Sequence, residues 1–274
     1  MHNLPFIFQK SFAFLRKDFL NESSYKFSFI SHFAGILFSV LSMFFLSRLV
    51  GDAAQPYLSA YGGDYFSFVI IGVALAGYMQ VALGTFSGSI REAQVTGTLE
   101  AMLATRTGAP VIILFSSIYS FAVTTVRIFI YLLFGAFAFG LHLSQANYAG
   151  AFLILCLTII CFSSIGILSA SFILILKRGD PFNWIFTSLS WLLGGIYYPI
   201  TVLPEWLQKI SYLFPITHAL EGIRLSLLQG YPTRELFSSI CPLLGFGLVM
   251  IPASIGMFRY AIRIAKMNGS LTQY

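Results

Sequence analysis

The chain has 274 residues, of which 57% are hydrophobic and 17% aromatic, whereas only 9% are charged. An ordinary soluble domain carries about 25% charged residues, so this composition excludes a soluble globular protein and predicts an integral membrane protein covered by lipid. The net charge of +6 does not indicate a nucleic-acid partner, because the basic residues are spread over many segments instead of forming one patch.

The segment 1–26 predicts an amphipathic helix that lies in the membrane interface. Phe8 and Phe12 recur at helical spacing and give one apolar face, whereas Arg16 and Lys17 lie mostly on other faces and point toward lipid headgroups. The alternative is that this segment simply extends the first membrane span.

Six apolar stretches are long enough to cross a bilayer, which takes about 20 residues. They cover residues 27–50, 65–87, 110–140, 148–176, 181–199 and 235–260. The predicted fold is therefore an all-α polytopic membrane protein, with one transmembrane domain over 27–274. An even number of spans places both termini on the same side of the membrane.

The basic residues predict which side that is, since Lys and Arg in short loops favour the cytoplasm. With both termini in the cytoplasm, eleven of the sixteen basic residues lie on the cytoplasmic side and four lie outside. We therefore expect cytoplasmic termini and a location in a bacterial plasma (inner) membrane.

A polar segment, 91–107, separates the second and third spans and lies on the cytoplasmic side in this orientation. Gly97 can end the preceding helix, and Thr98 can cap a new one that has Glu100 in its first turn. Apolar residues recur at helical spacing through this segment and form one stripe: Val95, Leu99, Met102 and Leu103. Lipid headgroups can cover this stripe, or it can insert into the groove of a soluble partner.

The same segment carries a resemblance to a known family. Its sequence EAQVTGTLEAMLAT resembles the E-x-x-x-x-G-T-L-E-x-L-L-x-T stretch of permease subunits of ATP-binding-cassette exporters of the type-2 class. In that family the stretch belongs to a coupling helix that docks on the ATPase subunit. The resemblance implies this role for Glu92, Gly97, Thr98, Leu99, Glu100, Met102 and Leu103. The chain departs from the pattern at Met102, where Leu is usual, and at Arg106, where Pro often follows.

Arg127 is the only charged residue placed deep in a predicted span. A central arginine costs about 2.5–3.5 kcal/mol on insertion scales, which favours a function or a buried partner. One hypothesis is that Arg127 faces an interior cavity, where it contacts substrate or pairs across a subunit interface. The other is that the third span is long enough to leave Arg127 shallow or snorkelling.

The segment that follows the fifth span predicts two short helices over 199–229, re-entrant or interfacial on the outer side. Pro199, Pro204 and Pro215 interrupt the chain at short intervals, and each can start a helix. Trp206 is suited to headgroup depth. These helices can close the outer mouth of a translocation path, or they can merely pack the outer ends of the spans.

A second resemblance to the same family lies at 194–224. The paired aromatics Tyr197 and Tyr198 precede a proline, then L-P-x-W-L follows, and then a segment that begins at a proline and ends in an acidic residue and an arginine. The last two are Glu221 and Arg224, which are three residues apart and can pair on one helical face. Together the two motifs and the six spans extend the resemblance over essentially the whole chain.

Motifs for catalysis and for autonomous energy use are missing from the sequence. It contains no G-x-x-x-x-G-K-[ST] phosphate loop, no enzyme signature and no metal-ligand spacing among its histidines and cysteines. No Asp or Glu lies in the interior of a predicted span, so the titratable relay of a proton-coupled carrier is absent too. We therefore expect no catalytic residue and no cofactor in this chain, and we expect ATP and Mg²⁺ in a partner ATPase.

The resemblance implies the permease subunit of an ATP-driven exporter, in which two copies pair and dock two ATPase subunits. The aromatic residues can line a path for an amphipathic substrate such as a lipid, a glycolipid, a lipid-linked glycan or a drug, or they can simply face the bilayer lipid. The alternatives are a channel or secondary carrier that works alone, and a membrane-embedded enzyme or assembly factor.

Overall fold

The computed structural model describes residues 26–95, 97, 109–141, 143, 145–176 and 180–267. Its α-helices, numbered here through the described part, are α1 Lys26–Ala54, α2 Tyr65–Val95, α3 Ala109–Phe139, α4 Tyr148–Leu176, α5 Pro181–Leu193, α6 Glu205–Ser211, α7 Pro215–Leu228 and α8 Phe237–Met267. The predicted interface helix over 1–26 lies almost wholly outside the described residues.

Five of these helices are long and apolar enough to cross a membrane. The candidate spans are Ala34–Gly51, Tyr65–Glu92, Ser117–Phe139, Tyr148–Leu176 and Phe237–Ala265. They fall in α1, α2, α3, α4 and α8, which correspond to the first four predicted spans and the last one. The chain is therefore an all-helical integral membrane protein within the described residues.

The fifth predicted span, 181–199, is shorter in the structure than expected. Helix α5 ends at Leu193 after 13 residues, which is about 20 Å at 1.5 Å per residue and less than the roughly 30 Å of a hydrocarbon core. Gly195 then adopts φ +78°, a left-handed conformation that glycine reaches without steric cost and that ends the helix. A sixth crossing thus stays a prediction.

Helix α2 forms the centre of the fold, because 78% of its candidate span is buried, against 11% for the spans of α1 and α3. It packs on α4 and α3, and α4 packs in turn on α8. The α2–α4 contact is close at Gly166, where a Cβ atom would lie 2.3 Å from the carbonyl oxygen of Ala82. Only glycine allows the two backbones to approach this far.

Two short helices form where the prolines predict them. Helix α6 begins directly after Pro204, and α7 begins at Pro215, whose fixed φ suits the first turn of a helix. Between α5 and α6 the chain makes a short 3-10 turn at Ile200–Val202. Their placement at the outer side of a membrane stays a prediction, since it depends on the orientation of the whole chain.

Candidate functional site

The two short helices, expected together as an outer gate, differ in their environments. Ten of the fourteen residues of α7 are buried, and α7 packs against α4, α8 and α2. In α6, by contrast, only Ser211 is buried. Helix α7 is therefore part of the core, whereas α6 lies on its surface.

Arg224 of α7 is buried with only 2% of its surface exposed, and its guanidinium joins three parts of the chain. Its Nε donates to the carbonyl of Phe68 at 3.1 Å, its Nη1 to that of Gly195 at 2.8 Å, and its Nη2 to that of Ile196 at 2.9 Å. Its Cζ also lies 3.4 Å from the centroid of the Phe68 ring, within the range of a cation–π interaction. We call this arrangement the Arg224 clamp.

The predicted pairing of Glu221 with Arg224 is wrong in this structure. All three hydrogen bonds of the guanidinium go to main-chain carbonyls, and none goes to Glu221. The planar fork of arginine explains the preference, because the carbonyls of consecutive residues present acceptors that match its spaced donors. Burial lowers the pKa of Arg224 to about 9, so the guanidinium remains protonated near neutral pH.

A glycine in α2 makes the Arg224 clamp possible. A Cβ atom at Gly72 would lie 2.3 Å from the carbonyl oxygen of Ile196 and 2.6 Å from Nη2 of Arg224. Both distances are shorter than a van der Waals contact allows, so any larger residue at this position would push the chain after α5 away from α2. Sequence reasoning missed this residue, and a glycine within an apolar helix was its only signal.

Asn147, just before α4, fixes the other end of α7. Its backbone N–H donates to the carbonyl of Ser226 at 2.9 Å, and the Ser226 hydroxyl donates to the Asn147 carbonyl at 2.6 Å. The Asn147 side chain donates to the carbonyl of Tyr231 at 2.8 Å. Helix α7 is thus held toward α2 by Arg224 and toward α4 by Asn147, and sequence reasoning did not identify Asn147.

Comparison with known families decides what kind of membrane protein this is. The family model described as ABC-2 type transporter matches residues 9–228, well over half of the chain. The chain belongs to the ABC-2 type transporter family. No curated protein matched the chain. Membership makes the chain a permease subunit and implies an ABC-type ATPase as its partner.

The residues predicted to couple this permease to its ATPase are only partly described. Glu92 lies in the last turn of α2 with an exposed side chain, and α2 ends at Val95. Gly97 has φ +68°, as expected of a glycine that ends a helix. Other predicted residues lie outside the described residues: Thr98, Leu99, Glu100, Met102 and Leu103 of the coupling helix, and Phe8, Phe12, Arg16 and Lys17 of the interface helix.

The paired tyrosines that follow α5 lie beside the Arg224 clamp. The ring of Tyr197 packs against Trp191 with centroids 5.4 Å apart, and the hydroxyl of Tyr198 donates to the carbonyl of Leu192. Pro199 is buried and directly precedes the 3-10 turn. These contacts hold the chain after α5 against the end of its own helix.

Helix α6 presents an apolar surface to its surroundings. Trp206 is 63% exposed, and Val202 and Leu213 on either side of the helix are 50% and 69% exposed. The Gln208 side chain donates to the carbonyl of Leu203 at 2.8 Å, which attaches the helix to the chain that follows Pro199. An exposed tryptophan among aliphatic side chains suits the headgroup depth of a membrane.

Glu221 lies on α7 without the arginine that was expected to neutralise it. It is partly buried, and this burial raises the pKa of its carboxyl, an effect that the nearby His218 opposes. The His218 ring is itself fixed, because its Nε2 lies 2.9 Å from the carbonyl oxygen of Tyr212. A carboxyl of this kind takes up a proton more readily than an exposed one.

Arg127 lies near the middle of α3 and is partly exposed. On the neighbouring face of the helix, Val126 and Phe129 are 59% and 65% exposed. The structure therefore places Arg127 at the edge of an apolar face that the rest of the described chain does not cover. Among the described residues, no group of three or more His, Cys, Asp or Glu residues lies close enough to hold a metal ion.

Proposed function

We propose that this permease is the membrane-spanning subunit of an ATP-driven exporter, which moves an amphipathic substrate from the cytoplasmic side outward. The proposed substrate class is a lipid, a glycolipid, a lipid-linked glycan or a drug. The observation that carries the proposal is the match to the ABC-2 type transporter family over residues 9–228. ATP and Mg²⁺ belong to the partner ATPase in this proposal, and this chain has no catalytic role.

The route of coupling runs through the segment between α2 and α3. Gly97 supports this role, because its left-handed conformation lets the chain leave α2 and begin the predicted coupling helix. ATP-driven closure of two ATPase subunits would press on that helix and on the amino-terminal interface helix. The spans would then change between inward-open and outward-open packings.

A homodimer is part of the same proposal. Only 11% of the candidate spans in α1 and in α3 is buried by the rest of the described chain, so both helices offer broad apolar surfaces. A second copy or lipid can cover such surfaces. The distribution of basic residues supports cytoplasmic termini, and we propose a bacterial plasma (inner) membrane as the location.

Co-purification tests the proposal directly. A tagged permease, extracted from its native membrane, should bring down an ABC-type ATPase in a one-to-one ratio of subunits. Replacing the predicted stripe, in Leu99→Asp or Met102→Asp, should abolish this capture, because a buried unpaired carboxylate opposes docking. Ala104→Asp, on the opposite face of the predicted helix, is the matched control and should retain the ATPase.

The competing functions give different results in the same experiment. A channel or a secondary carrier would purify without an ATPase and would transport at the same rate with and without ATP. A membrane-embedded enzyme or an assembly factor would show no ATP-dependent flux in vesicles. Either result would refute the proposed function.

A further inference from the structure

The carboxyl-terminal part of α2, which leads into the predicted coupling helix, packs against α4 and α8. Seven buried apolar residues of the three helices form a cluster there, which we call the inner cluster: Phe86 and Ile90 of α2, Ala170, Ile173 and Leu174 of α4, and Phe258 and Ala261 of α8. Each has at most 6% of its surface exposed. Close-packed side chains transmit displacement because they leave no void to absorb it. A shift of the end of α2 therefore displaces the adjoining parts of α4 and α8.

The same stretch of α4 holds the beginning of α5. Ser169, directly before Ala170 of the inner cluster, is fully buried, and its hydroxyl donates to Oδ1 of Asp180. Three residues further along α4, the ring of Phe172 stacks on that of Phe182, with centroids 5.4 Å apart and planes 23° apart. We call these two contacts the α4–α5 joint. They attach the start of α5 to the part of α4 that lies in the inner cluster.

Asp180 passes this attachment on to the axis of α5, because it is also the N-cap of that helix. Its Oδ1 accepts from the backbone N–H of Asn183 at 3.0 Å, and its carbonyl accepts from that of Trp184 at 3.2 Å. Pro181 follows directly, and its ring fixes φ in the first turn. Since Asp180 is held to the first turn in this way, its bond to Ser169 fixes the direction in which α5 leaves α4.

The other end of α5 is attached to different helices. The carbonyls of Gly195 and Ile196, just after α5, are bound by Arg224, and the Arg224 clamp joins α7 to α2. Between its two attachments α5 has an outward face, on which Trp184 and Leu192 are 71% and 60% exposed. Helix α5 thus connects the inner cluster to the clamp, and a relative movement of these two parts tilts it.

We propose that the α4–α5 joint carries movement of the coupling helix to α5, so that closure of the ATPase tilts α5 against the Arg224 clamp. Ser169 and Asp180 are positioning residues in this scheme, because their effect on transport passes through α5. The inference rests on the proposed function, since the movement begins at the ATPase. It adds a route by which that movement reaches the outer end of the fold through small shifts of packed helices.

Hydrogen–deuterium exchange of the assembled permease–ATPase complex tests this route without a known substrate. The complex, captured with tagged permease and placed in nanodiscs, is compared with and without ADP and vanadate. In the wild type, we expect trapped nucleotide to change the amide exchange of 91–107 and also that of α5. The change in α5 should be at least about fivefold, the lower end of typical coupling between sites.

The variant Ser169→Ala/Phe172→Leu removes both contacts of the joint. The nucleotide-dependent change in 91–107 should remain in this variant, whereas the change in α5 should disappear. A merely structural role would alter the exchange of α5 equally with and without nucleotide, so only a change in the response identifies the joint. Ser169→Ala alone should lose part of the response in α5, and it carries the test if the double variant does not fold.

Ser171→Ala/Phe152→Leu is the matched control, because it also removes one buried hydroxyl and one ring from α4. The Ser171 hydroxyl donates within its own helix, to the carbonyl of Ile167 at 2.7 Å, and Phe152 is 68% exposed near the other end of α4. This variant should respond to nucleotide as the wild type does. Asp180→Asn should also respond, since its amide oxygen can still accept both hydrogen bonds.

The outcomes separate this inference from the proposed function. A variant without the joint that keeps the full response in α5 would overturn the inference, and so would a wild-type complex in which 91–107 responds but α5 does not. Loss of the response in α5 in the control or in Asp180→Asn would overturn it as well. Failure to capture an ATPase, or a wild-type complex without any response in 91–107, would instead refute the proposed coupling.

Discussion

The Arg224 clamp predicts a large loss of stability when the guanidinium is replaced by an apolar side chain of similar length. In Arg224→Met, the carbonyls of Phe68, Gly195 and Ile196 lose their hydrogen-bond donor, and no water replaces it readily because the site is buried. The chain after α5 would then be held to α2 and α7 by packing alone.

The expected magnitude follows from opposing contributions. Each hydrogen bond to a charged donor contributes roughly 1.5–3 kcal/mol, and the cation–π contact about 2 kcal/mol when desolvated. Against this, the variant no longer buries a guanidinium, whose desolvation costs several kcal/mol. We therefore expect Arg224→Met to lose about 3 kcal/mol, which corresponds to a decrease in Tm of about 5–10 °C for a chain of this size.

Thermal unfolding of the purified permease in detergent measures this decrease. Arg224→Lys is the informative second variant, because it keeps a positive charge but replaces the planar fork with a compact ammonium. If geometry holds the clamp together, Arg224→Lys should be destabilised about as much as Arg224→Met. Arg259→Gln, an exposed arginine of α8, is the control. A Tm of Arg224→Met within about 2 °C of wild type, or a wild-type Tm for Arg224→Lys, would refute the reasoning.

Two further predictions test close packing and charge burial. Gly166→Ala should lower the stability by roughly 1–3 kcal/mol, because the new Cβ atom would meet the backbone of α2. Gly77→Ala is the control and should be neutral, since no atom lies within 4 Å of a Cβ at that position. Equal Tm values for the two variants would contradict the packing argument. Glu221→Gln should gain stability relative to wild type as the pH rises, because burial raises the pKa of the native carboxyl and the wild-type protein loses that stability as the carboxyl ionises. A Tm difference between Glu221→Gln and wild type that is independent of pH would exclude this effect.

The sequence predicts the long helices well because their signal is local. An apolar stretch of sufficient length has one stable conformation in lipid, since every backbone group must be satisfied within the helix. The fourth predicted span, 148–176, coincides with α4, and the third differs from α3 by one residue at each end. The fifth predicted span, 181–199, extends beyond the end of α5 at Leu193. The reason is that the hydrophobic sequence continues through Ile196, whereas the backbone already turns at Gly195.

The candidate site was harder to predict because its contacts join distant parts of the chain. Periodicity places Glu221 and Arg224 on one face of α7, and this proximity favoured an ion pair. The actual partners of Arg224 are 28, 29 and 156 residues away, and they are main-chain carbonyls, which no side-chain pattern reveals. The sequence shows that position 72 is a glycine, but it does not show that Ile196 and Arg224 pack against it.

The difference between α6 and α7 restricts how an outer gate can work. Helix α7 is fixed to α2 by the Arg224 clamp and to α4 by Asn147, so its movement would break several buried hydrogen bonds at once. Helix α6 has one buried residue and an exposed apolar surface around Trp206, so displacing it costs far less. We therefore expect α7 to serve as the fixed wall of the outer end, and α6 with the turn at Ile200–Val202 to be the part that moves when substrate leaves.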